Sequence, residues 1–246
     1  MSRPLPFVAL MLAGMALSTT ACSRTKETPA ADEIAQQVQD WNKTGQFDAI
    51  ESTGPDNVVV TIGDRISIKA DGDPKAVADL DIRTKGQTLI ISRKSSSGSW
   101  IDHDKGATVR ITMPAIRSAQ LTGAGDFDLD RAEGDSLTLS LTGAGDFRIG
   151  MVKVKSLTTD ITGAGSMKIA GAADSAKFSI TGAGDIDAGA LKVGGADVSV
   201  LGAGDIAFAS DGKVAISIMG PGDVTVKGKA QCTTSGMGPG EARCAP

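Results

Sequence analysis

The heptapeptide LTGAGDF occupies residues 121–127 and returns letter for letter at 141–147. Its Gly-Ala-Gly core starts again at Gly163, Gly182 and Gly202, and Gly220-Pro-Gly and Gly238-Pro-Gly continue the series. The intervals between first glycines are 20, 20, 19, 20, 18 and 18 residues. A fixed period this short marks one supersecondary unit stacked on copies of itself.

Around each core the pattern alternates. Two residues before the first glycine stand Leu121, Leu141, Ile161, Ile180, Val200 and Ile218, and after the corner stand Phe127, Phe147, Met167, Ile186, Ile206 and Val224. Polar residues separate the apolar ones, which is the signature of half-buried strands. Each unit reads as two short strands and two turns, and stacking the units in register makes every apolar column a ladder of like residues. The expected fold is all-β: a right-handed parallel β-helix, or β-solenoid, with coils of about 20 residues.

The middle position of the corner is Ala or, at Pro221 and Pro239, Pro, which fixes φ near −65°. The order Pro-compatible then Gly matches a type II turn, so positive φ is expected at the second glycines. The structural corners are therefore Gly123 and Gly125, Gly143 and Gly145, Gly163 and Gly165, Gly182 and Gly184, Gly202 and Gly204, and Gly220 and Gly222. An acidic column follows them: Asp126, Asp146, Ser166, Asp185, Asp205, Asp223 and Glu241. It reads as turn chemistry, with carboxylates accepting backbone N–H bonds. A calcium ladder is the competing reading, but the next polar column mixes charges (Asp128, Arg148, Lys168, Asp187), so no metal site is assigned.

Upstream the repeat blurs. Residues 58–62, 66–70, 80–84, 88–92 and 108–113 look like strands of early coils, with Thr53-Gly-Pro-Asp as a divergent corner. One polar insertion, RKSSSGSWIDHDKGA at 93–107, holds Trp100 and the only histidine. Trp100, Asp102, His103 and Asp104 form a candidate binding loop, because binding residues concentrate on loops held by a rigid scaffold. A Trp folded back as a local anchor is the alternative.

Residues 1–21 read as a signal peptide: Arg3, a short apolar run, then small residues. Cys22 stands where a bacterial lipobox ends, although Thr19 replaces the usual Leu, so lipid attachment at Cys22 stands beside simple cleavage after Ala21. Residues 22–31 form a tether and 32–46 a possible short capping helix with linker, in which Trp41 is a packing residue; 47–246 is a single solenoid domain. In an exported protein the remaining pair, Cys232 and Cys244, reads as a disulfide closing the final coil. Both fall on inward columns, so a buried bond is expected.

Composition narrows function. The net charge of −4 with scattered basic residues excludes a nucleic-acid stripe. Aromatic residues make up only 3%, and one histidine supplies no nucleophile–base arrangement. No catalytic residue and no cofactor is assigned. The 47–50 segment FDAI, the 111–114 segment ITMP and the serial Gly-small-Gly corners resemble the GIN domain, the auto-transporter adhesin head family, over roughly residues 47–244. The resemblance implies a β-helix without enzymatic residues and a role in cell-surface adhesion. The expected partners are the membrane, through the lipid, and a protein or glycan ligand. A periplasmic envelope-stress or assembly module and a polysaccharide-acting enzyme are the alternatives.

Overall fold

A computed structural model describes residues 40–43, 45–94 and 106–245. The signal peptide, Cys22, the tether, most of the expected first helix and Trp100, Asp102, His103 and Asp104 lie outside the described residues.

In chain order the elements are β1 (Ala49–Gly54), β2 (Asn57–Ile62), β3 (Ser67–Gly72), α1 (Pro74–Ala78), β4 (Leu80–Lys85), β5 (Thr88–Arg93), β6 (Ala107–Met113) and β7 (Ser118–Gly123). Then follow β8 (Phe127–Gly143), β9 (Asp146–Gly163), β10 (Ser166–Gly182), β11 (Asp185–Val193), β12 (Ala196–Gly202), β13 (Ile206–Ser210), β14 (Lys213–Met219), β15 (Val224–Lys227), β16 (Gln231–Met237) and β17 (Ala242–Ala245). From β7 onward every pairing is parallel and joins equivalent residues of successive coils: Gly123 to Gly143, Gly143 to Gly163, Gly163 to Gly182 and Gly182 to Gly202. The molecule is the expected parallel β-solenoid. The ladder from Leu121 to Ile218 is buried throughout, and the Phe127 and Phe147 rings lie 4.8 Å apart, which is the strand spacing itself.

The middle coils have three sides rather than two. Along β9 the alternation of buried and exposed residues breaks at Gly150–Met151 and again at Lys155–Ser156, where two neighbours both face solvent. Each break is a corner inside a continuous strand. The extra side carries its own inward column, Ala132, Val152, Gly171 and Leu191. It disappears where the period contracts to 18. Ala188 pairs with Phe208 while Lys192 pairs with Ala209, so the three residues Gly189, Ala190 and Leu191 have no counterpart in the next coil. There the Phe208 ring reaches across the interior to Phe178, with centroids 5.0 Å apart.

The Gly-Ala-Gly corners are not type II turns of the expected kind. Positive φ belongs to the first glycine, from Gly123 (135°) through Gly143 (125°) to Gly238 (129°), and Gly125, Gly145 and Gly222 do not have it. The second glycines are required for another reason. A Cβ on Gly145 would overlap the carbonyl oxygen of Gly125 in the coil before, and the same overlap recurs at Gly165, Gly204 and Gly222. The middle residue donates its N–H to the first glycine of the preceding coil: Ala144 to Gly123 O at 2.9 Å and Ala203 to Gly182 O at 2.9 Å. Pro221 and Pro239 have no such donor. There the following glycine takes over, Gly222 N–H bonding Gly202 O at 3.2 Å and Gly240 N–H bonding Gly220 O at 3.1 Å.

The N-terminal layers follow space, not chain order. β1 lies between β5 and β7, and β2 between β6 and β8, all parallel. Segments 66–70 and 80–84 are not parallel coils: β3 runs antiparallel to β6, and β4 antiparallel to β5 through a two-residue turn at Gly86 (φ 63°) and Gln87. A first parallel layer would leave its edge and core bare, and a return of the chain covers both. α1, capped by Asp73, buries Ala76 and Val77 there. Trp41 packs into the core, and the Asn42 side chain bonds Ile68 in both directions, accepting its N–H at 2.8 Å and donating to its carbonyl at 3.1 Å.

At the other end Cys232 and Cys244 form the expected disulfide in the expected columns, opposite Val214 and Val226. It is not buried: Cys232 is half-buried and Cys244 exposed, because among the described residues no coil packs over these inward positions.

Two outcomes test this architecture. Gly145→Ala should destabilise by about 2 kcal/mol, more than the roughly 1 kcal/mol expected for Gly86→Ala, where φ is positive but the added Cβ meets nothing. Chemical denaturation of both variants checks the order, and the reverse order would return the corner to a conformational cause. Replacing both Cys232 and Cys244 by Ser should cost about 3 kcal/mol for a loop of this size. Hydrogen exchange should then show β16 and β17 opening before the other coils.

Candidate functional site

The acidic column is a structural ladder. The Asp185 carboxylate accepts the Asp205 N–H at 2.9 Å, Asp205 accepts that of Asp223 at 2.8 Å, and Asp223 that of Glu241 at 2.8 Å. Asn57 serves Asp126 in the same way at 2.9 Å, and Ser166 donates its hydroxyl to Asp146 at 2.7 Å. The bonds therefore run from coil to coil rather than within one corner. Arg148 sits among Asp126 (3.1 Å), Asp146 (3.0 Å) and Asp128 (3.8 Å), and its hydrogen bond to Asp126 holds its pKa above the usual arginine value. Among the described residues no group of three or more His, Cys, Asp and Glu is placed to hold a metal ion.

The outward columns of the strands that enter the corners are small and polar. One runs Gln120, Ser140, Asp160, Ser179, Ser199, Ser217 and Ser235; the next runs Thr53, Thr122, Thr142, Thr162 and Thr181. That Thr column then changes character to Leu201, Met219 and Met237, all exposed. Sequence reading passed over this switch, although its signal is plain in the residue just before each first glycine.

The insertion 93–107 springs from a site built on Asp56. This residue stands at the second corner position, which is glycine in every later coil, and it pairs in space with the corner of Gly125. Among the described residues no corner lies beneath it: β5 ends at Arg93 and β6 starts at Ala107. The Asp56 carboxylate lies between the two stems. It accepts two bonds from the Arg93 guanidinium (2.8 and 2.6 Å) and one from the Ala107 N–H (2.8 Å), so it grips both stems of the insertion. The Arg93 and Asp56 side chains are 8% and 3% exposed. The bond to Asp56 raises the Arg93 pKa, and Asp79 reinforces the effect. The pair is charged and fully hydrogen-bonded, as a buried ion pair must be to persist. Among the described residues Asp56 is the one buried carboxylate. Sequence reading missed it. Asp56 was legible as the lone departure from glycine at that position.

No curated protein matches the chain. In solved structures the solenoid is similar to a putative adhesin from Bacteroides fragilis, with 24% identity, TM-score 0.77, and 82% of this chain and 94% of that one covered. It is also similar to a putative lipid binding protein from Parabacteroides distasonis (17% identity, TM-score 0.64, 81% and 93% covered) and a putative adhesin from Parabacteroides merdae (20%, 0.61, 81% and 92%). These likenesses establish the shared fold. The model of the family described as "Putative auto-transporter adhesin, head GIN domain" matches residues 46–230. With its serial glycine corners and its coil-to-coil ladder, the chain belongs to the GIN-domain family of auto-transporter adhesin heads.

Proposed function

We propose that the protein is a non-enzymatic adhesion or partner-binding scaffold of the cell envelope, anchored by lipid on Cys22, with the insertion 93–107 as its contact surface. The observation that carries this reading is the Asp56 clamp. A buried ion pair spent on the two stems of one polar loop holds that loop's base rigid, and a preorganised base lowers the ordering cost of binding. Trp100, Asp102, His103 and Asp104 supply the aromatic and polar groups that a protein or glycan ligand engages. Up to Thr181 the outward columns of the strands entering the corners are mostly Ser and Thr, poor in anchors. Export and the outer-membrane location follow from the signal-like segment 1–21 and Cys22.

Four experiments test the reading. Replacing residues 95–104 by a short Gly-Ser turn should leave thermal unfolding unchanged and abolish adhesion by cells displaying the protein. Asp56→Asn, with the loop sequence intact, should cost about 3 kcal/mol and weaken adhesion in the same direction. Unchanged adhesion in the loop replacement would remove the loop as the site. For the anchor, Cys22→Ser should move the protein out of the membrane fraction, because several acyl chains make attachment effectively permanent. Protease shaving of intact cells should cut the wild-type protein; full protection there would favour a periplasmic assembly module instead.

A further inference from the structure

The two ends of the solenoid are finished differently. At the N-terminal end the outermost strands are antiparallel returns carrying charges: Lys69 and Asp71 on β3, and Asp81, Arg83 and Lys85 on β4. Asn42 occupies part of the β3 edge. Charged and covered edges resist the addition of further strands. The C-terminal end has none of this. Among the described residues β16 pairs with β14 on one side only, in seven unbroken steps from Gln231 to Met237. Its sequence, QCTTSGM, contains no charge, no proline and no bulge.

The free groups can be assigned. The Gln231 N–H bonds Gly212 O at 2.8 Å, and Met237 O accepts the Gly220 N–H at 3.1 Å, so the odd-numbered residues of β16 bond toward β14. In a parallel ladder alternate residues bond to opposite neighbours. The N–H and C=O groups of Cys232, Thr234 and Gly236 therefore point to the open edge. Beside that edge runs the exposed apolar column Leu201, Met219 and Met237, at 48%, 47% and 74% exposure, and the most exposed member lies on β16 itself. The disulfide to Cys244 ties β16 to β17, the last described strand.

We infer that the β16 edge is a strand acceptor, and that its occupant is an extended, uncharged segment of a partner polypeptide with apolar residues at alternate positions. One residue of the incoming strand continues the Leu201–Met237 column, and its alternate residues on the opposite face continue the buried columns of Val214, Ile216 and Ile218 across Cys232, Thr234 and Gly236. The main chain supplies about six hydrogen bonds, and such bonds are the source of affinity in strand addition. Area argues against a second folded copy. A seven-residue strand is roughly 23 Å long and the two faces of a thin solenoid lie about 10 Å apart, so the end presents roughly 230 Å², far below the ~800 Å² per partner of a stable interface.

The probe is a fluorescent, end-capped peptide of residues 214–220, VAISIMG, uncharged and with apolar residues at alternate positions, added to the purified, oxidised protein. Anisotropy should show saturable binding, and amide exchange should slow at least tenfold at Cys232, Thr234 and Gly236 but not in β7–β10. Thr234→Pro removes an edge N–H without touching a bond to β14 and should weaken binding at least tenfold. Met237→Lys, which leaves the backbone intact, should weaken it as well. Absence of binding up to 1 mM peptide, or binding that both folded variants retain, overturns the proposal. So does protection of β16 that rises with protein concentration alone together with a doubled sedimentation mass, since the edge would then belong to a second copy.

Discussion

The close stacking of backbone on backbone at the glycine corner sets the terms for everything else. Each coil lays its corner directly on the corner before it, so that a single carbon atom at Gly145 or Gly204 would occupy the space of a carbonyl oxygen. Only glycine permits that approach, and only that approach brings Ala144 within bonding distance of Gly123 O. With the corners locked one above another, the side-chain columns have no freedom of register. Leu121 must meet Leu141, and Phe127 must meet Phe147. The ladders are thus a result of the corner as much as of apolar burial.

The same contact explains what the sequence reveals and what it conceals. Period, columns, core and the Cys232–Cys244 pair are legible because a stack of like coils repeats its chemistry at fixed intervals. The backbone angle at the corner is not. Pro221 suggests a turn type from local preference, but the neighbouring coil decides the conformation, and that neighbour is invisible in a seven-residue window. The third side is concealed too, because the corners at Gly150–Met151 and Lys155–Ser156 interrupt the alternation by only one residue each. At the N-terminal end the Lys85–Thr88 turn carried a hairpin signal in Gly86, which the expectation of more coils overrode. The candidate site divides in the same way. Trp100 and His103 stand out by composition, whereas Asp56 matters through its bonds to two strand ends far apart in sequence, and Met237 through its place on the outermost described strand.

Charge follows geometry here as well. The acidic column looks like a ligand set when its members are read in a row. In place, the Asp185, Asp205 and Asp223 carboxylates face the backbone of the next coil, and each satisfies an N–H that the bend at the corner takes out of the regular ladder. Arg148 then shares three neighbouring carboxylates and limits their mutual repulsion.

The order of the layers also governs how the molecule comes into being. β1 and β2 are synthesised first yet are enclosed between strands made later, β5 and β6 on one side and β7 and β8 on the other. No stack can grow upward from the first coil as it leaves the ribosome or a translocation channel. The seed requires the chain as far as Leu129, which pairs with Val60. It must close contacts between distant segments, the slow part of folding. Beyond that point each coil needs only the one before it, and growth becomes sequential. Shortening the gene from its 3′ end therefore removes whole coils from a finished template, whereas trimming the first strands withdraws an internal layer and leaves nothing for the remainder to grow on.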